Sequence, residues 1–229
     1  MNFTIFERIE RMNKGTITSG IANLSHKVVI NMGFWDKLLG RSTSEEEEPM
    51  SNLNIGIILG STREGRLSPQ VGEWVKSLAD KRGDANYEIV DIKDFNLPFL
   101  GTTDGSDPGI GQWNEKLASL DGFIFIVQEY NHSITGALKN ALDFAREAWN
   151  NKAAGIVSYG SVGGARAAEH LRGILGELAI ADVRTHPALN LFTDFENGQT
   201  FKPAEMHEGT VNEMMGQLIS WAAALKTVR

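Results

Sequence analysis

The sequence predicts an α/β protein of the doubly wound type, a five-stranded parallel sheet held between two layers of helices. Three observations carry that expectation. From residue 54 onward, short apolar runs alternate with longer segments of helical periodicity. NIGIILG (54–60) and GFIFIV (122–127) lack the polar alternation of half-exposed strands, so they read as central strands covered on both faces. Glycine- and hydroxyl-rich loops follow these runs, as the strand-to-helix turns of right-handed crossovers require.

The elements follow in order. After the first strand, residues 66–82 place Val71, Trp74, Val75 and Leu78 at helical spacing. YEIVDI (87–92) is the second strand, and residues 112–120 form a helix. GFIFIV is the third strand, and ITGALKNALDFAREAW (134–149) a helix with Leu138, Leu142 and Ala145 on one face. Phe144 and Trp149 fall outside that stripe, which makes them candidate anchors of a subunit interface or residues packed beneath neighbouring loops. AAGIVSYG (153–160) is the fourth strand, residues 165–178 a helix with Leu171, Ile174 and Leu178 inward, 183–191 the last extended segment, and 208–225 the closing helix.

The first fifty residues differ in character. STSEEEEPM (42–50) is an acidic run closed by proline, a solvated linker by charge repulsion, and Met50 directly precedes the first strand. Residues 1–50 therefore read as a disordered extension or as sequence upstream of a start at Met50, and 51–229 as the folded domain. The alternative is an anchor through Phe34, Trp35, Leu38 and Leu39, a patch too small for stable membrane attachment alone.

Composition narrows the function. Cysteine is absent, which excludes disulfides and thiolate chemistry. A net charge of −7 opposes nucleic acid and anionic lipid as partners. No run reaches the length of a membrane span and no apolar leader is evident, so a cytoplasmic location is expected. His26, His170, His186 and His207 show no metal-ligand spacing, and no metal is expected.

In an open α/β sheet, ligands bind outside the carboxyl ends of the strands. GSTREGRLS (60–68) gathers Ser61, Thr62, Arg63, Arg66 and Ser68 at a helix N-terminus, a pocket for a phosphate dianion. The competing reading is a tight turn with solvated arginines, but arginine in a first turn opposes the helix dipole unless an anion offsets it. QEYNHS (128–133) offers the aromatic face of Tyr130 and the amide of Asn131. SYGSVGG (158–164) offers hydroxyls and unshielded backbone N–H groups. The first loop is neither a dinucleotide fingerprint nor a P-loop. The three loops together suit a ligand with one phosphate and a flat heterocycle, as in FMN.

The runs GSTREGR (60–66), EYNHSITGALKNALDF (129–144) and SYGSVGGARAAEHLR (158–172) resemble the NADPH-dependent FMN reductase family, which includes azo dye, quinone and chromate reductases. The resemblance spans about residues 52–190, and residues 1–50 have no counterpart in it. It implies a flavodoxin-like fold, FMN as cofactor, NADPH or NADH as co-substrate, and assembly as a homodimer or homotetramer. Ser61, Arg63, Arg66 and Ser68 would hold the phosphate. Glu129, Tyr130 and Asn131 would line the isoalloxazine, and Ser158, Gly160 and Gly163 its pyrimidine edge. Gln128 stands where members commonly carry proline. The flavin would carry the chemistry by ping-pong hydride transfer, with no catalytic side chain and His132 as a rim residue. Three other readings remain open, a flavodoxin-like electron carrier, a nicotinamide dehydrogenase using the GSVGGA turn (160–165), and a flavin-binding redox sensor.

Overall fold

The computed structural model describes residues 53–229, so the expectations for the extension fall outside the described residues. The sheet runs in the order β2-β1-β3-β4-β5, all parallel, from β1 (Asn54–Leu59), β2 (Asn86–Asp91), β3 (Gly122–Gln128), β4 (Lys152–Gly160) and β5 (Ile180–Asp182). β3 and β4 are buried at every residue, as their unbroken apolar sequences require.

Helices α1 (Ser68–Arg82) and α5 (Met206–Lys226) cover one face, where Val71, Val75 and Leu78 meet Val211, Met214, Met215 and Leu218. On the other face α2 (Pro108–Ala118), α3 (Gly136–Asp143) and α4 (Ala165–Glu177) bury Trp113, Leu117, Leu138, Leu142, Leu171 and Leu175. Each large apolar side chain so buried contributes about 1.5–3 kcal/mol. Local chemistry sets the helix ends. Asp107 caps α2 by accepting from Gly109 N, with Pro108 at the first position, and Thr135 caps α3 by accepting from Leu138 N.

Three features differ from the sequence reading. The fifth strand position is shared by two short pieces on one edge of β4. β5 pairs with Lys152–Ala154, and β6 (Ala188–Asn190) with Ser158–Gly160. The chain between them cannot continue the ladder unbroken, because Pro187 lacks an N–H; its carbonyl instead accepts from Ser158 N at 3.0 Å. A separate antiparallel hairpin, β7 (Phe195–Glu196) with β8 (Thr200–Phe201), follows. The helix expected over 134–149 stops at Asp143 and resumes only as a 3-10 turn, Glu147–Trp149.

That break turns Trp149 inward. It is fully buried, edge-on to Trp113 and Phe123 at 5.9 and 4.9 Å, and its indole N–H donates to Leu142 O. Phe144 packs partly buried against the same cluster. Trp149 is thus a core residue, which corrects its reading as an interface anchor, and Phe144 packs beneath its neighbours as the alternative reading expects.

Candidate active site

The strand order reverses between β1 and β3, and the ligand crevice of this topology opens there, at the carboxyl ends of the strands. A cleft of about 250 Å³ occupies that place, lined by Ser61, Arg63, Arg66, Gln128, Tyr130 and Gly160, with Tyr159, Leu191 and Gly198 beside them. A second hollow of about 280 Å³ adjoins it and shares Ser61, Arg63 and Tyr130.

The floor is a knot at the end of β1. Gly60 O accepts from Gln128 Nε2 at 2.5 Å and from Thr135 Oγ1 at 2.6 Å, while Gly60 N donates to Ile126 O. A Cβ on Gly60 would stand 2.8 Å from Ile126 O, so the close approach of β1 and β3 here requires glycine. With its nitrogen committed, the Gln128 amide leaves Oε1 buried and without a partner. An unpaired buried acceptor costs about 1–3 kcal/mol, which a ligand donor recovers.

The four phosphate candidates separate. Ser61 is buried at the cleft wall, and its hydroxyl takes only a long contact from Arg63 N, 3.4 Å. Arg63 is exposed, its guanidinium 5.9 Å from the centre of the Tyr130 ring, with no carboxylate partner among the described residues. Arg66 lines the cleft but is already neutralised. Its two terminal nitrogens grip the Asp91 carboxylate, and one also donates to Ser61 O at 2.5 Å. Arg66 thus stiffens the loop rather than offering a free charge. Ser68 is wholly buried at the first position of α1 and lines neither hollow. Leu67 at the N-cap supplies no side-chain bond and the first turn holds no acid, so the N–H groups of that turn keep their anion preference.

The second loop is a two-residue turn. Tyr130 N donates to Ser133 O and Ser133 N to Tyr130 O, with Asn131 and His132 both at positive φ, 45° and 76°. This is the mirror-image turn that hairpins favour, and asparagine and histidine are among the non-glycine residues that most often enter the left-handed region. The turn holds Tyr130 at the mouth, 40% exposed. Asn131 is exposed and lines neither hollow, so its part is to shape the turn. Glu129 also lines the cleft, and its carboxylate is held in an ion pair with Arg166 and accepts from Arg166 N at 3.2 Å. Burial raises its carboxyl pKa, but Arg166 outweighs that and holds it below the usual range.

The third loop is built from beneath. Ser158 is fully buried, and its hydroxyl donates to Gly163 O at 2.5 Å and meets His186 Nε2 at 2.7 Å. The imidazole's pKa is lowered by burial and then by Arg172, which favours the neutral ring. Gly163 and Gly164 both sit at φ 73°, and a Cβ on Gly164 would lie 2.8 Å from Tyr159 N. Of this loop only Tyr159 and Gly160 line the cleft, while Ser158 and Gly163 lie off its lining, bonded to each other. Sequence reasoning missed Gln128, Tyr159, Leu191 and Gly198 as lining residues. Gln128 carried a signal, being a polar residue closing an apolar strand.

A parallel sheet in this order, with a phosphate-seeking loop and an aromatic wall at its switch point, defines a flavodoxin-like oxidoreductase. The chain belongs to the NADPH-dependent FMN reductase family, whose sequence model matches residues 53–194. An NAD(P)H-dependent FMN reductase of Schizosaccharomyces pombe is 36% identical over 148 residues, 61% of this chain and 74% of that protein. A 2-hydroxy-1,4-benzoquinone reductase of a Burkholderia species is 34% identical over 137 residues, 56% of this chain and 73% of that one. In fold, the NAD(P)H:acceptor oxidoreductase FerB of Paracoccus denitrificans superposes with a TM-score of 0.61 at 20% identity, covering 75% of this chain and 98% of FerB. FMN is the family's cofactor, and the residues present fit it: Ser61, Arg63 and the first turn of α1 as donors for a phosphate, the Gln128 oxygen as acceptor for a hydroxyl or N–H, and Tyr130 for a ring. Among the described residues no helix is long and apolar enough to cross a membrane.

Proposed function

We propose that the protein reduces quinones, and by the same route azo compounds or free flavins, with electrons from NADPH or NADH. The observation that carries this reading is the cleft itself. It joins a free arginine and hydroxyl beside an uncapped helix start to an unpaired buried acceptor and an exposed aromatic ring. Bound FMN supplies the redox chemistry, taking hydride from the nicotinamide and passing electrons to the oxidant. The chain's part is to hold and shield. Ser61, Arg63 and the backbone of α1 fix the phosphate. Gly160 admits the ring edge against the backbone, and Tyr130 covers it at the mouth. The two hollows share Tyr130 and Arg63, which supports occupation of one mouth by donor and oxidant in turn, and hence ping-pong kinetics.

The quinone reading draws on the Burkholderia relative and the apolar lining of the second hollow. Cytoplasmic location and a homodimer belong to the same reading. Tyr130, Val162 and Phe192, exposed by 40, 54 and 80%, offer apolar surface from the three segments around the mouth. The test is the visible spectrum of the purified chain, then its oxidation of NADPH with and without a benzoquinone. A yellow protein that consumes NADPH only when quinone is present, with parallel double-reciprocal lines, is expected. A colourless protein refutes the cofactor reading; a yellow one that never consumes NADPH or NADH is a carrier or sensor.

A further inference from the structure

The β7–β8 hairpin belongs to neither helix layer and pairs with no strand of the main sheet, yet it reaches the cleft. Gly198, in its tight turn at φ 64°, and Leu191, in the segment leading to it, both line the cleft wall. Three sets of contacts hold it there. In the first turn of α1, the Gln70 amide clasps the outgoing hairpin backbone on both sides. Its Nε2 donates to Gln199 O at 2.9 Å, and its Oε1 accepts from Phe201 N at 2.8 Å. Behind the hairpin an aromatic chain runs from Trp74 to Phe201, Phe195 and Tyr159, with centroids 5.3, 5.0 and 5.7 Å apart. It ends on a residue that itself lines the cleft.

At the base stands Asp194, 1% exposed. Its carboxylate accepts from Asn190 N at 2.8 Å, Ala204 N at 3.1 Å and His207 Nε2 at 3.0 Å, while its carbonyl accepts from Lys202 N. One buried carboxylate so ties together both ends of the 190–207 segment. A buried charge is tolerated only with such full pairing. Nothing in the strand ladder demands this arrangement; its effect is to fix a short, polar, otherwise free hairpin against the helix start where a phosphate would lie.

We infer that Gln70 and Asp194 are positioning residues that hold the Phe195–Phe201 hairpin as the outer wall of the cleft and thereby set how tightly FMN is retained. The inference rests on the FMN reading above.

The test compares the full chain with Gln70→Met, Asp194→Asn and, as a control on the same helix, Lys76→Met, which loses only an exposed ion pair with Asp80. FMN affinity is read by flavin fluorescence, hydrogen exchange at Phe201 N–H by mass spectrometry, and folding by thermal melts. Gln70→Met and Asp194→Asn are each expected to weaken FMN binding roughly five- to thirtyfold. Exchange at Phe201 should quicken in Gln70→Met, and Lys76→Met should behave as wild type. Unchanged FMN affinity in Gln70→Met and Asp194→Asn overturns the inference, as does unchanged Phe201 exchange in Gln70→Met. Weakening by Gln70→Met alone, with Asp194→Asn folded and binding normally, also overturns it, since Gln70 would then act through its own contact. Should Asp194→Asn fail to fold, the Gln70→Met affinity and exchange decide. A wild-type chain that binds no FMN refutes the cofactor reading itself, a result separate from these.

Discussion

Two arginines three positions apart share one loop, and their surroundings give them opposite tasks. Arg63 has no carboxylate partner among the described residues, so Arg63→Ala removes a charge-assisted bond to the phosphate and is expected to weaken FMN binding by about 1.5–3 kcal/mol. Arg66 spends its charge on Asp91, so Arg66→Ala strips the partner from a nearly buried carboxylate and loosens Ser61. Its larger effect should appear in thermal stability, read by differential scanning calorimetry, with the smaller effect in affinity. The sequence made both arginines visible but could not divide their labour, because Asp91 lies 25 residues away and meets Arg66 only across parallel strands. Lys152 allows a test by pH. Buried over the Phe123 ring, with Nζ donating to Leu117 O, its ammonium is held down to about 8, by burial first and then by Arg229. Between that value and the ordinary lysine range near 10.4 the unfolded chain binds the extra proton, so this group makes stability rise with pH. Lys152→Met should abolish that rise between about pH 8 and 9.5 in chemical denaturation curves.

At the scale of elements, the long-range consequences of periodicity were only partly legible. The helical stripe of Leu138 and Leu142 is present, but the helix ends six residues early because Trp149 fills a space between Trp113, Phe123 and Phe125 that a continued helix would leave open. Trp149→Ala is accordingly expected to cost about 3–5 kcal/mol in urea unfolding, as for a large aromatic in a core. An interface anchor would instead have left the monomer's stability nearly untouched. The glycine turn after β4 was legible as a close approach, though its target was not. Ser158 was read as facing the ligand, but alternation within a strand buried on both faces gives no sign of which neighbour a hydroxyl meets. That neighbour is Gly163 O. Gly164→Ala forces a Cβ onto Tyr159 N at a left-handed φ and should disorder the turn. The expected result is loss of FMN binding with most of the fold's circular dichroism retained.

For the molecule as a whole, every lining residue of the two hollows lies between Ser61 and Gly198. A chain beginning at Met50 should therefore bind FMN and turn over like the full-length protein; loss of flavin on that truncation would tie residues 1–49 to the site. Acid should act through three carboxyls, Asp121, Glu129 and Asp194, in each of which burial pushes the pKa up and paired donors pull it further down. A depressed folded value means the stabilisation is complete above the ordinary carboxylate range near 4 and is lost as pH falls through the lower folded values. Melting temperature should hold to about pH 4 and drop below it. The layer order was readable from the sequence because parallel strands buried on both faces leave no other way to write them. The hairpin was not, since its two strands of two residues each are too short to carry a period.

The divided edge of the sheet has a consequence for the protein in crowded solution. β5 and β6 expose two ladders of three residues, separated by a jog that contains Pro187. A strand arriving from another molecule finds no continuous row of N–H and C=O groups to copy, and any pairing it begins is interrupted where the chain steps out of line. A core as apolar as β3 and β4 would be a hazard at a long, flat margin. Here the margin is too short and too broken to seed fibrils, and that side of the sheet is closed to edge-to-edge polymerisation.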